Sequence, residues 1–285
     1  MLKRYIISVV LVSLLFSCRV SAQRIRFVYD YTSMPNRLQK DSLVKEVMVL
    51  EIDPIQKESV FVSYKKLKSD SNMVANVLKG NYLFPDSSVN TRNVIKKNLQ
   101  KNEVFLYTAN YAGMPVLKVE DGRNLDWKIT NEKKEILSYP VQKATATFGE
   151  RKWTAWFATK IPFSDGPYKF SGLPGLILRV SDATGSHSYE LIGIEKINST
   201  SYKLLSNDSY INARKTRLED YKKMLLDKRR DPMKDIREKV SQGRVFFRTE
   251  NEKTEYLRIS ERNLKVWKAR SNNPIELDEI DIDDN

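Results

Sequence analysis

Thirteen consecutive positions, Gly166-Pro167-Tyr168-Lys169-Phe170-Ser171-Gly172-Leu173-Pro174-Gly175-Leu176-Ile177-Leu178, restrict the fold of this chain more than any other stretch. Three glycines and two prolines sit there among large aliphatic and aromatic side chains. Glycine reaches positive φ at little steric cost, whereas proline fixes φ and removes a donor. Pro174-Gly175 suits the two central positions of a type II turn. Leu176 to Val180 then reads as a strand buried on at least one face. The plain expectation is a tight turn feeding a core strand. A sharper one is a rigid apolar lip at the mouth of a pocket, because loops with little polar content rarely stand bare in water. A phosphate-binding loop is excluded, since no Lys-Ser or Lys-Thr follows the last glycine.

Ahead of this segment, Arg151 to Ile161 alternates as a strand. Trp153, Ala155 and Phe157 point one way, and Thr154, Trp156 and Ala158 the other. Aromatic side chains on both faces mean burial on both, or one face forming a cavity wall. Core packing is the first reading. The second is a lining for an apolar ligand, since clefts with aromatic walls and few polar groups are typical sites. On the second reading the ligand-binding residues are Trp153, Trp156, Phe157, Phe170, Leu173, Pro174 and Leu176.

Trp153, Ala155-Trp156-Phe157, Ile161-Pro162, Gly166-Pro167 and the run from Gly172 to Leu178 together resemble the signature of the GLPGLI family, exported proteins common in Bacteroidetes whose biochemical role is not established. The resemblance covers about a tenth of the chain. It implies a β fold and an address outside the cytoplasm, and it brings no catalytic residues. Phe157 stands where the pattern leads one to expect tyrosine, and a cysteine associated with the region before Ala144 is absent.

The N-terminus reads as an export signal. Lys3 and Arg4 precede an apolar stretch from Tyr5 to Phe16. That stretch falls short of the roughly 20 apolar residues a bilayer span needs. Two processing readings compete. Val20-Ser21-Ala22 before Gln23 is a site for ordinary signal peptidase, while Leu15-Phe16-Ser17-Cys18 resembles a lipobox that would anchor the chain through Cys18. Cys18 is the single cysteine of the chain. Cleavage after Ala22 leaves no thiol for disulfides, nucleophiles or thiolate metal sites. The net charge of +13 is spread over alternating segments, which reads as a solvated basic surface, and nucleic acid is excluded as a partner of an exported chain.

From Ile25 onward most segments alternate with period two. Strands are expected at Ile25–Tyr31, Glu46–Ile52, Ser59–Tyr64, Val94–Gln100, Glu103–Asn110, Pro115–Glu120, Leu125–Ile129, Ile136–Thr147 and Ser188–Ile197. Lys66–Lys79 is the one helix expected in this half, ended by Gly80. Asn212–Arg230 reads as a helix, and Asp231-Pro232 opens a second one to about Ser241. Val245–Phe247 and Tyr256–Ile259 read as short strands, and Leu277–Asn285 as an acidic tail that is frayed or folds back on the basic helices.

The organisation expected is a signal peptide at 1–22, an antiparallel β domain at 23–210, a basic helical segment at 211–242, and short strands with an acidic tail at 243–285. The fold class expected is mainly β: a curved antiparallel sheet or half-barrel with peripheral C-terminal helices, like the LolA/LolB carriers by analogy of fold alone. The only histidine, His187, lacks a nucleophile elbow and cannot assemble a zinc site by itself. Asp165 and Asp182 flank the signature as turn residues suited to capping amides. The expected function is therefore non-enzymatic, without cofactor or metal. It is a periplasmic cell-envelope protein holding an apolar ligand, an acyl chain or a segment of an outer-membrane partner. The alternatives are a structural accessory of an outer-membrane transport or export complex, in which the basic helices make the contact, and a carboxylate-dependent hydrolase. Partners expected are an outer-membrane protein or lipid, with no transmembrane span after signal removal.

Overall fold

A computed structural model describes residues 23–81, 83–108, 115–197 and 208–280, with backbone alone at 208 and 209. The export signal and both processing readings, Cys18 included, lie outside the described residues, as do the last five residues of the acidic tail.

Twelve strands form one open, mixed sheet: β1 (Arg24–Ser33), β2 (Val44–Asp53), β3 (Glu58–Ser63), β4 (Val94–Asn98), β5 (Glu103–Tyr107), β6 (Leu117–Glu120), β7 (Lys128–Ile136), β8 (Tyr139–Phe148), β9 (Arg151–Ala158), β10 (Leu176–Asp182), β11 (His187–Ile197) and β12 (Arg214–Arg217). Their order is β12-β6-β5-β4-β3-β2-β1-β11-β10-β9-β8-β7, and the sheet is not closed into a barrel. β12 lies parallel to β6, and the other pairings are antiparallel. The mainly β class is as the alternation implied.

The sheet is strongly curved. β6 and β8 are nine strands apart along the order, or about 43 Å at the usual inter-strand spacing of ~4.8 Å. Yet Arg123, just past β6, sits 4.4 Å from the ring of Phe148 at the end of β8. Only a sheet bent round on itself brings those ends together. The inner face carries the larger core: Phe27, Tyr29 and Tyr31 of β1, Met48, Leu50 and Ile52 of β2, Trp153 and Phe157 of β9, and Val180 of β10. Period two explains the choice, since the intervening Arg26, Val28 and Asp30 stay half-buried on the outer face.

Among the described residues there are five helices: α1 (Tyr64–Val77), the short α2 (Asp208–Ile211), α3 (Leu218–Arg230), α4 (Lys234–Ser241) and α5 (Glu250–Arg270). Ser63 caps α1 by accepting from Lys66 N at 3.3 Å. Leu67 of α1 packs on Val49, Val60 and Val62 in a second, smaller core on the outer face. β2 is thus covered on both faces, which accounts for its four consecutive apolar residues, Val47 to Leu50.

Several boundaries differ from expectation. Ile136–Thr147 is not one strand. The chain reverses at Leu137 and Ser138, both at positive φ (49° and 61°), and β7 and β8 form a hairpin. That is the region of a type I′ turn, but Leu-Ser lacks the Asn-Gly chemistry that announces one. β7 starts at Lys128 and extends well past the expected Leu125–Ile129. The helix expected from Asn212 begins at Leu218, because Arg214–Arg217 is recruited to β6 as β12. The short strands expected at Val245–Phe247 and Tyr256–Ile259 are absent, and Tyr256–Ile259 lies inside α5. Thr249 opens that helix by accepting from Glu252 N at 3.1 Å, a Thr-x-x-Glu cap whose signal outweighs the short β-prone runs. The acidic tail is not frayed as far as Ile280: Leu277–Glu279 forms a 3-10 turn packed against the sheet and α3.

Candidate functional site

The signature loop fills the hollow of the sheet. Phe170 is fully buried, its ring 4.7 Å from that of Trp153, 5.9 Å from Phe148, 6.1 Å from Tyr168 and 6.2 Å from Trp127. Leu173, Leu176, Trp153 and Phe157 are buried in the same core. Of the seven residues expected to line a ligand site, these five are interior packing. Pro174 is exposed at the turn, and Trp156 lies half-buried with the Lys134 ammonium 4.0 Å over its ring. The seven do not converge on one opening. The apolar hollow is present, and protein occupies it.

The turn at Pro174-Gly175 differs from a type II turn. Gly175 N bonds Leu173 O at 2.8 Å, a three-residue turn, and Leu176 N reaches instead to Ile161 O at 3.1 Å. Gly175 has φ +153°, and a Cβ there would lie 2.6 Å from the Ala158 carbonyl carbon and 2.9 Å from Thr159 Cα. Glycine is required for close approach to β9 as well as for its φ.

Charges are buried with the loop, and each is paired. Lys97 of β4, on the far wall of the sheet, reaches Asp165 Oδ1 at 2.5 Å and Gly166 O at 2.7 Å. Burial pushes the Lys97 pKa down, against the pull of Asp165. Asp165 also accepts from Gly166 N at 2.7 Å, and Asp182 from His187 N at 2.8 Å, so both act as the amide caps their turn positions implied. At the loop's other end Lys169 bridges Asp121 Oδ2 (2.8 Å) and Glu276 Oε1 (2.6 Å). Arg123 bridges the same two carboxylates at 2.5 Å each. Burial raises the pKa of both acids, but Arg123 and Lys169 override it, holding Asp121 far below the carboxylate range and Glu276 below it. Glu279 behind them goes the other way: burial and the Glu276 charge push it up to about 8.

These contacts pin a C-terminal strap, residues 271–280, across the mouth of the hollow. Asn273 donates from Nδ2 to Met34 O (2.7 Å) and accepts on Oδ1 from Arg151 Nη2 (2.5 Å). Arg151 also donates to Pro274 O at 2.7 Å and pairs with Asp182 at 3.0 Å. His187 Nε2 lies 3.1 Å from the Asn273 carbonyl, which can only accept, so Nε2 carries the proton and Nδ1 accepts from Tyr31 OH at 2.8 Å. Burial, and then the Arg151 charge, lower the His187 pKa to about 4. Tyr168 OH donates to Glu276, and Leu277 N to Gly149 O at 2.9 Å. Sequence reasoning missed this cluster because its members are scattered; the one local signal was charged residues inside an apolar signature.

The most exposed feature is the helical arm. Residues 218–270 hold sixteen Lys and Arg against ten Asp and Glu. α3 is fixed to the sheet by Leu218, Tyr221 and Leu225. At its other end Arg229 donates to Ser271 O at 2.8 Å and lies 5.8 Å from the Trp267 ring, joining α3 to α5. Beyond that junction a shallow groove of about 460 Å³ runs beside Val266 and Trp267, with Arg262 and Arg270 at its rim. A groove of about 740 Å³ at the β6–β12 edge has mixed charge, with Lys118 and Lys215 near Glu103, Glu120 and Glu219. No helix among the described residues is long and apolar enough to cross a membrane.

No curated protein matches the chain. Among solved structures, a protein named PNGF-II, in a C2 crystal form, is 20% identical with a TM-score of 0.50 over 71% of this chain and 32% of its own. Its P21 form gives 18% and 0.49, over 71% and 33%. An uncharacterized conserved protein from Thermus thermophilus gives 9% and 0.36, over 69% and 91%. The chain thus spans about a third of the length of PNGF-II, and the likeness is one of fold alone. Residues 147–179, from the β8–β9 turn through the signature into β10, match the model of a family described as a protein of unknown function (Porph_ging).

Proposed function

We propose that this chain is an exported, non-enzymatic cell-envelope protein of GLPGLI type, acting as a structural accessory of an outer-membrane transport or export complex. The observation that carries the reading is the division of labour between signature and arm. The signature is spent inside the sheet, with Phe170, Leu173 and Leu176 at most 1% exposed. The arm stands outside, basic, with Trp267 and Val266 about 40% exposed (40% and 43%) on the same helix. An apolar-ligand carrier needs an open hollow, and here the hollow is filled, so the geometry favours the accessory reading over the carrier. Arg beside a large aromatic is the composition of a contact patch, and the positive charge around it complements an acidic partner face.

The test is native mass spectrometry of the full chain released gently from envelopes. A stoichiometric protein partner is expected, lost when Arg262→Glu and Arg270→Glu are combined and retained in Lys134→Glu on the sheet's other face. Co-purified lipid without a protein partner would reverse the choice and restore the carrier.

A further inference from the structure

Neither α4 nor α5 buries a residue, and the loop between them, residues 242–249, forms the far end of the arm. α5 carries that loop 21 residues from the strap, or about 30 Å at the usual helical rise. The loop is tied at both ends. Gly243, at φ +66°, donates from N to Val240 O at 3.1 Å, and Arg244 N donates to Lys239 O at 2.9 Å, which closes α4. Arg248 N donates to Glu252 Oε2 at 2.8 Å, next to the Thr249 cap that opens α5. Between these fixed points Phe247 folds back, its ring 5.4 Å from that of Tyr256 on α5. Phe246 does not follow it and is 87% exposed. Arg244 and Arg248, exposed as well, stand two positions to either side of that ring. Residues 234–248 hold five Lys and Arg against two Asp and Glu. The acids that follow are engaged on α5 itself, Glu250 with Lys253 at 3.2 Å and Glu255 with Arg258 at 2.7 Å.

A single exposed ring is ordinary on a protein surface. This one is held forward by two helix caps and bracketed by guanidiniums. Shape and charge together select what it meets. One ring and two arginines offer far less than the roughly 800 Å² per partner of a stable protein contact. A convex tip suits a soft surface that it can enter, with the ring at the acyl boundary and the arginines on the phosphates above it. We infer that residues 244–248 are a membrane-contacting tip for an anionic phospholipid bilayer, with Phe246 as the apolar wedge and Arg244 and Arg248 as the groups that hold the headgroup phosphates. The tip goes beyond the accessory reading and does not rest on it. The protein contact proposed there lies at Arg262 and Arg270, at least about 20 Å further along α5.

The experiment is flotation of the full chain with vesicles of phosphatidylcholine, alone or mixed in equal parts with phosphatidylglycerol, at physiological salt. Every variant carries Cys18→Ser and the same N-terminus, so no acyl anchor contributes and any leader contribution is common to all. Binding to the mixed vesicles is expected to fall at least about tenfold when Arg244→Glu and Arg248→Glu are combined, since each basic residue near an anionic surface contributes about fivefold. Phe246→Ala should weaken it about fivefold or more, and Phe246→Trp should restore it. Arg262→Glu with Arg270→Glu should stay within about twofold, because both lie beyond the screening length of about 8 Å from the tip. All five side chains are exposed, so the variants keep the melting temperature of the parent. Hydrogen exchange at residues 244–248 gives a reading local to the tip, slowed by the mixed vesicles and unchanged by the neutral ones. Equal losses in the two arginine pairs would show attraction to the arm as a whole and overturn the tip. Unchanged binding by Phe246→Ala, or unchanged exchange at 244–248 on mixed vesicles, would overturn it as well. The protein-partner test reads Arg262 and Arg270 whereas this one reads residues 244–248, so either can fail alone.

Discussion

Phe170→Ala separates a plug from a pocket wall. In the plug arrangement the ring is fully buried and touches four aromatic neighbours, the nearest with centroids 4.7 Å away. Removing such a ring costs about 3–5 kcal/mol, part of it for the cavity left behind. Each aromatic pair adds about 0.5–1.5 kcal/mol beyond area, which places this site in the upper half of that range. Unfolding entropy of about 2.1 cal/mol/K per residue, over roughly 240 ordered residues, is about 0.5 kcal/mol/K. A loss of about 4 kcal/mol therefore lowers the melting temperature by about 8 °C. The assay is thermal and urea unfolding by circular dichroism, with an apolar fluorescent probe titrated in parallel. Trp156→Ala, half-exposed under Lys134, serves as comparison and should cost about 1 kcal/mol or less, as partly exposed sites do. If Phe170→Ala costs under about 1 kcal/mol while probe binding falls, the ring borders an opening and the plug is wrong.

Gly175→Ala should cost more than about 3 kcal/mol or abolish soluble expression, since the side chain would enter the β9 backbone, whereas Gly122→Ala, open on all sides, should stay within about 0.5 kcal/mol; equal melting temperatures would refute the close approach. Lys97→Met should cost about 3–5 kcal/mol by stranding Asp165, and adding Asp165→Asn should recover part of that loss; strictly additive urea midpoints would show the pair is uncoupled. Stability should also fall on both sides of a mid-range pH. His187 has its folded pKa lowered from 6.5 to about 4, so its contribution is present above pH 6.5 and is lost as pH falls towards 4, about 3 kcal/mol in all at 1.36 kcal/mol per unit. Glu279 has its folded pKa raised from 4.5 to about 8, so its contribution is present below 4.5 and is lost as pH rises through 8. Glu279→Gln should flatten the alkaline limb of melting temperature against pH and leave the acid limb in place; an unchanged alkaline limb would count against the buried position of that carboxyl.

Local periodicity carried most of the strands. Phe27, Tyr29 and Tyr31 face inward because alternation and apolarity agree there, and the same holds at Trp153 and Phe157. Agreement fails where the deciding partner is remote. Leu137-Ser138 turns because β7 and β8 pair on either side of it. Arg214–Arg217 joins the sheet because the β6 edge is open to accept it. α5 was legible in Thr249 and Glu252, and was masked by short β-prone runs that have no sheet to join. The role of the signature was half legible. Its glycines marked a constrained backbone, but nothing local reveals that Phe170 meets Trp127, or that Lys169 meets a glutamate more than a hundred positions later.

A sheet of twelve strands bent this far encloses a volume its own side chains do not fill, and an empty apolar volume destabilises in proportion to its size. A chain whose described part contains no disulfide has two ways to fill it, a ligand or a segment of itself. The signature takes the second way, and its buried charges decide which segment enters and how far. Lys97 fixes one end of the loop on Asp165, while Asp121 and Glu276, both also paired with Arg123, fix the other on Lys169. Apolar packing alone is tolerant of such slips, whereas a one-residue displacement here would strand a charge in the core at several kcal/mol. That division leaves the aromatic residues to supply stability and the ions to supply register. What the plug leaves outside is the strap and the basic helices joined to it through Arg229 and Ser271.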